Sequence, residues 1–172
     1  MKEINSIYPQ PYYAFAKPLK ADAVFFEFEE DFVVDNIRCI PMMVRFKLDA
    51  CGIKLKLSEW SKMAIEERNT LVEMPCSATA DILQYRNYLR QLVVKRTGNE
   101  ATDLPAEKNP AWANMDGLSA MLSEKLQEFN WYISLRQWRA LSNLQRFVLV
   151  KLCRPGHENE NFPKAFKEFG LV

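Results

Sequence analysis

Glycine is scarce in this chain, with five in 172 residues. All-β designs spend glycine at their turns, so the scarcity disfavours one. No apolar run approaches the ~18 residues a membrane helix needs. The opening Met-Lys-Glu-Ile-Asn-Ser lacks the apolar core of a secretory signal, which predicts a protein that is not exported. Charge of one sign is also lacking. The net charge of +1 argues against nucleic acid and against an anionic membrane as partner. No Gly-rich phosphate loop, HExxH, GxSxG or Walker pattern occurs. There is a single histidine, His157, and no C-x2-C pair. Cys39, Cys51, Cys76 and Cys153 lie far apart in helical pattern, so they read as reduced thiols of a cytoplasmic protein.

What is present is ordinary globular material, 48% apolar and 26% charged, and long enough for one domain with a sizeable core. The stretch from Arg38 to Leu55 organises it. Pro41 fits the start of a helix and Gly52 the left-handed residue just past its end. Met42, Met43, Val44, Phe46, Leu48, Ala50 and Cys51 make more than one apolar stripe, which predicts a helix buried on most sides.

Residues 1–20 carry three prolines and four aromatics and read as an extended arm, with residues 21–172 as a single helical domain. Residues 22–35 are acidic and aromatic. Phe25, Phe28 and Phe32 fit a short helix, and a strand remains open. After the central helix, Lys54 to Leu57 reads as an extended link, and Ser58 as the cap of a helix through Trp60 and Met63. A helix from about Glu66 to Met74 follows. Ser77 or Thr79 then caps a longer one that stops at Gly98. Residues 99–111 read as a surface loop. Leu118 to Phe129 is amphipathic. Ser134 with Gln137, and Ser142 with Gln145, are two capping boxes that break the helical run near Leu141. A helix from Phe147 to Cys153 and one opened by Pro163 complete the chain. The predicted fold is all-α, with seven or eight helices.

A shift of 78 residues lays residues 41–72 on 119–150 without a gap. Met43 meets Met121, Lys47 meets Lys125, Leu48 meets Leu126 and Leu57 meets Leu135. Trp60 meets Trp138, Arg68 meets Arg146, Leu71 meets Leu149 and Val72 meets Val150. Gly52 meets Asn130, and both residues tolerate the left-handed conformation. The bland reading is two helical hairpins that share a pattern by chance. The sharper one is two three-helix units packed around a pseudo-two-fold axis, since a lone unit could not bury its apolar face.

Cys153 and His157 have a C-x3-H spacing, but two ligands are not a metal site, and buried thiols are the simpler reading. His157 and Glu158 could form an acid–base pair, or could belong to a loop that caps the last helix. The bases around the central helix, Arg38, Arg45 and Lys47, face the same choice between a partner or anion surface and pairing with the acidic segment. No catalytic, cofactor or metal residue is assigned. The candidate partner or anion surface is Arg38, Arg45, Lys47, Arg154, His157, Glu158, Asn159 and Asn161. The Arg154–Phe162 loop is expected beside the N-terminal end of the central helix, near Arg38 and Cys39. There Glu158 or Asn159 would accept from its free N–H groups.

Three blocks together resemble the nitrate reductase associated protein family of cyanobacterial-type nitrate assimilation. They are Phe28-Glu-x-Asp-Phe32 leading into Arg38-Cys-Ile-Pro-Met-x-Val-Arg-Phe-Lys-Leu-Asp49; Gly52-Ile-Lys-Leu-Lys-Leu57 with Trp60; and Gln145-Arg-Phe-Val-Leu-Val-Lys-Leu152 with Arg154-Pro-Gly-His-Glu-Asn-x-Asn-Phe162 and Glu168-Phe-Gly170. The resemblance covers about residues 25–171. It implies a small cytoplasmic protein that serves assimilatory nitrate reductase, an enzyme with a molybdenum pterin and an iron–sulfur cluster, and that has no activity or cofactor of its own. That is a non-catalytic accessory or maturation protein. The alternative is a cofactor- or anion-binding protein or enzyme using His157, Glu158 and nearby arginines.

Overall fold

The helix expected between Pro41 and Gly52 runs over Met42–Cys51 (α1) in a computed structural model that describes residues 25–29, 39–105, 107–154 and 160–172. Of the described residues, 62% are helical and 3% lie in strands, so the all-α expectation holds. Pro41 precedes the first helical residue, and Gly52 adopts φ +67°, its N–H donating to the carbonyls of Leu48 and Asp49. Eight α-helices occur among the described residues. They fall into two compact units, one within Met1–Phe25 and Glu29–Pro105, the other within Phe26–Phe28 and Ala106–Val172.

In the first unit α1 is followed by β1 (Ile53–Lys54), α2 (Leu57–Trp60), α3 (Ile65–Glu73), α4 (Thr79–Thr97) and β2 (Thr102–Asp103). The loop expected over residues 99–111 thus contains a strand. It pairs antiparallel with β1, Ile53 opposite Asp103, and the Leu104 N–H donates to the Gly52 carbonyl at 3.0 Å. Two residues carry too little periodicity to announce a strand. The long helix α4 buries Tyr85, Leu89, Leu92 and Val93, the i, i+4, i+7, i+8 face that seats it on α1 and α2. Gly98 ends it at φ +74°.

The starts of α2 and α4 differ from those expected. Lys56, Ala64 and Ala78 are the N-caps, and none offers an oxygen to the helix. The acid three residues on reaches back instead. Glu59 accepts from the Lys56 N–H at 2.7 Å, Glu67 from Ala64 at 2.8 Å and Asp81 from Ala78 at 3.2 Å. Ser58 therefore sits inside α2 rather than capping it. Half of a capping box is enough to satisfy one orphan donor.

The second unit holds a 3-10 turn (Ala111–Ala113), α5 (Ala120–Glu128), α6 (Leu135–Ala140), α7 (Asn143–Leu152) and α8 (Phe162–Glu168). Here Ser134 and Ser142 are the expected caps, and Ser119 is a further one. The hydroxyls of Ser119, Ser134 and Ser142 accept from the N–H groups of Leu122, Gln137 and Gln145. Helix α8 carries Pro163 in its first turn, and Gly170 turns the chain at φ +67°. Rings fill its surroundings. Trp131 stacks on Phe166 at 4.7 Å and on Phe129 at 4.7 Å, while Phe129 and Phe166 both lie against Phe162. Such offset stacks add to plain area burial.

The 78-residue shift has a structural counterpart. Helix α1 maps onto α5, α2 onto the start of α6 and α3 onto α7, with Ile65 falling on Asn143 at both first residues. Asn130 adopts φ +54°, the one non-glycine residue with positive φ among those described, and it stands where the first unit has Gly52. Trp60 and Trp138 are both fully buried, as are Leu71 and Leu149. Within each unit the first helix of the motif packs on the third, α1 on α3 and α5 on α7.

Candidate functional site

Helix α1 turns its bases inward. The Lys47 ammonium donates to the carbonyls of Val72 at 2.6 Å, Met74 at 2.7 Å and Leu71 at 3.4 Å. These are the orphan acceptors at the C-terminal end of α3, where a cation also meets the negative end of the helix dipole. Lys47 further lies 5.7 Å from the Tyr85 ring centre, and burial lowers its pKa. Arg45 donates through Nε to the Ile40 carbonyl at 2.8 Å. At the N-terminal end of α1 the Met42 N–H donates to Oε1 of Glu29 at 2.7 Å, and Glu29 is buried. A carboxylate does meet this helix start, and it comes from the acidic segment.

Arg38, His157, Glu158 and Asn159 lie outside the described residues, and so does the expected meeting of the Arg154–Phe162 loop with the start of α1. Arg154 is exposed just beyond α7, and Asn161 is buried as the N-cap of α8. Arg45 and Lys47 thus belong to the first unit, Arg154 and Asn161 to the second.

The side chains with the most specific geometry are a pair that sequence reading aligned without assigning a role. Arg68 is buried, with its guanidinium 5.5 Å from the Trp60 ring. It donates to the carbonyls of Trp60 at 3.1 Å and Ser61 at 2.9 Å. Arg146 is buried likewise, 5.9 Å from Trp138. It donates to the carbonyls of Trp138 and Leu141, to Trp112 at 3.0 Å and to Oδ1 of Asn143. Each arginine ties the end of its Trp helix to the next helix and stacks on the Trp it secures. Burial lowers the pKa of both guanidiniums, from a starting value high enough to leave them charged. The signal was the identity of both Trp and Arg at one offset.

The thiols of Cys51, Cys76 and Cys153 are quiet. Burial is the largest influence on each and pushes Cys51 up to about 11, and Cys76 and Cys153 up to about 12. Cys153 donates to the Leu149 carbonyl at 3.1 Å. A thiol held neutral is neither a ready nucleophile nor a ready metal ligand. Among the described residues no group of three His, Cys, Asp or Glu side chains could hold a metal ion, and no helix is long and apolar enough to cross a membrane. What the described residues offer a partner is surface. In the second unit Tyr132 is 79% exposed and Leu135 40% exposed, and Arg136 and Arg139 stand beside them in solvent.

Residues 25–169 match the family model described as conserved nitrate reductase-associated protein, and the chain belongs to that family. No curated protein and no solved structure matches it.

Proposed function

We propose that this member of the nitrate reductase-associated family is a non-catalytic accessory or maturation protein that binds assimilatory nitrate reductase in the cytoplasm and supports its activity. The family match over residues 25–169 carries this reading. The chemistry of the described residues agrees with it. Buried Glu29, Glu59, Arg68 and Arg146 hold helix ends, burial keeps the thiols of Cys51, Cys76 and Cys153 neutral, and exposed faces carry polar groups suited to a protein partner. Of the candidate surface residues, Arg154 is the exposed one among those described, and we keep it with His157, Glu158 and Asn159 as part of the proposed contact region.

The test is a binding measurement with purified reductase in its apo and cofactor-loaded forms. Binding to either form, with a rise in reductase activity or cofactor loading on adding the protein, is the expected result. Preference for the apo form marks a maturation role, and preference for the loaded form marks support of the finished enzyme. Absence of binding to both forms, or a pterin or metal that copurifies with this chain, contradicts the proposal.

A further inference from the structure

The two copies of the repeated motif carry the same net charge, but their Trp and Arg helices differ in charge in one direction. In the first, the Trp helix and Arg helix carry Glu59, Glu66, Glu67 and Glu73. The positions 78 residues on are Gln137, Leu144, Gln145 and Lys151. Every acid has gone. Two of these replacements keep the backbone contact of the acid they stand for. Oε1 of Gln137 accepts from the Ser134 N–H at 3.0 Å, and Oε1 of Gln145 accepts from the Ser142 N–H at 2.9 Å. The same capping contact is made by a carboxylate in the first copy and by a neutral amide in the second. From Phe129 to His157 the chain has no acid at all, against Arg136, Arg139, Arg146, Lys151 and Arg154.

The exposed face of α6 shows the same direction. Leu57, Ser58 and Ser61 of the first copy become Leu135, Arg136 and Arg139 of the second. The leucine is exposed in both copies, 49% and 40%. Both arginines are new relative to serine. Leu135 and Arg139 are i, i+4 neighbours, and Arg136 and Arg139 are i, i+3 neighbours, so the three side chains share one patch. Tyr132 is exposed three residues before Leu135, where the first copy has Lys54. Arg139 is held in place, its Nε donating to the Met115 carbonyl at 2.8 Å and its Nη2 to Asp116 at 3.3 Å. Asp116 is 93% exposed, so it screens Arg139 little. No carboxylate among the described residues pairs with Arg136.

We propose that the surface formed by Tyr132, just before α6, and by Leu135, Arg136 and Arg139 on it docks an acidic patch on the surface of nitrate reductase. Tyr and Arg are the residues that carry most binding energy at protein interfaces, and a part-ordered arginine loses less freedom on docking than a free one. Charge complementarity sets the sign of the partner. The exposed Leu135 and the small number of free cations favour a protein over nucleic acid, whose affinity comes from many phosphate contacts. This inference rests on the proposed association with the reductase.

The test uses the full chain with Arg136→Ser and Arg139→Ser together, which restores the residues of the first copy. Both side chains are on the surface, so the melting temperature is expected to hold. Affinity for the reductase is measured at low and high salt, beside duplex DNA and phosphatidylserine vesicles. The expected result is at least a tenfold loss of reductase affinity in the double variant, a flatter salt dependence, and a further loss in Arg136→Glu with Arg139→Glu. Wild-type binding that the serine variant keeps unchanged overturns this inference and leaves the association standing. No wild-type binding to the reductase overturns the association and this inference with it. Binding of DNA or vesicles that the serine substitutions abolish, with reductase binding untouched, assigns the face to another occupant and also overturns it.

Discussion

At the left-handed corner the first unit has Gly52 and the second has Asn130, and their neighbours account for the choice. A Cβ at Gly52 would stand 3.1 Å from the Leu104 carbonyl oxygen and 3.2 Å from Nη1 of Arg86. Arg86 crosses here to donate to the carbonyls of Cys51 and Gly52 and to Asp103 on β2. The segment just after β2 crowds this corner and favours glycine. Asn130 is exposed, so an asparagine that tolerates positive φ suffices. The same frame, helix to corner to Trp helix to Arg helix, therefore carries different residues wherever the surroundings differ. It carries the same residues where the frame itself is held, at Trp60 and Trp138 and at Arg68 and Arg146.

The largest expected effects fall on the shared core. Trp60→Ala and Trp138→Ala should each lower stability by roughly 3–5 kcal/mol, because each empties a fully buried site. Chemical denaturation of the two variants checks this. A variant that unfolds like wild type would break the equivalence of the two Trp positions.

Next come the arginines. Arg68→Met takes the guanidinium donors from the Ser61 carbonyl and from the Trp60 carbonyl, which keeps the Met63 N–H, for a loss of about 2–3 kcal/mol. Arg146→Met removes a donor from three carbonyls, of which Trp138 keeps the Leu141 N–H, and from the Asn143 side chain, so its loss should be the greater of the two. The ratio sharpens the comparison, and the reverse order would contradict it. At the corner, Gly52→Asn should cost about 1–2 kcal/mol through crowding against Leu104 and Arg86. Asn130→Gly should shift stability by less than about 0.5 kcal/mol, since glycine meets no penalty at positive φ.

A further effect depends on pH. Burial opposes ionisation of Glu67, but the hydrogen bonds from Arg96, the Ala64 N–H and Lys95 outweigh it and hold its carboxyl at about 2. A carboxylate whose pKa is lowered by folding stabilises the folded state above its unfolded pKa. That stability is lost as pH falls toward the folded value. With Lys95 largely in solvent, the loss between pH ~5 and ~2 should be about 1–2 kcal/mol after screening. Glu67→Gln should remove that part of the acid sensitivity and so imitate Gln145. Urea midpoints across this pH range measure it, and an unchanged slope in the variant would contradict the assignment.

Much of the frame was legible because its signals are local. Pro41 and Gly52 bracket α1, Ser134 and Ser142 start their helices, and Gly98 and Gly170 stop theirs. The repeat was legible because Trp and Arg recur at one spacing. Three things were not. The starts of α2, α3 and α4 follow Lys56, Ala64 and Ala78, which have no capping oxygen, so the reach-back of Glu59, Glu67 and Asp81 was the only cue. The destinations of Lys47 and Glu29 depend on where α3 and α1 end and begin in space, which no periodicity encodes. The charge drift between the copies was visible letter by letter, yet it took meaning only when Gln137 and Gln145 were found making the contacts of the glutamates they replace. Four of the eight candidate surface residues, Arg38, His157, Glu158 and Asn159, lie outside the described part of the chain.

The equivalence of the two Trp–Arg locks can be read directly from hydrogen exchange at the arginine Nε–H groups by 15N NMR. Both Nε–H groups donate to backbone carbonyls, that of Arg68 to the buried Trp60 and that of Arg146 to the half-buried Trp112, so the account predicts two protected arginine Hε resonances. Arg68→Lys should remove one and Arg146→Lys the other. An Arg68 or Arg146 Hε that exchanges as fast as that of solvent-exposed Arg136 would contradict the claim that one frame is built twice.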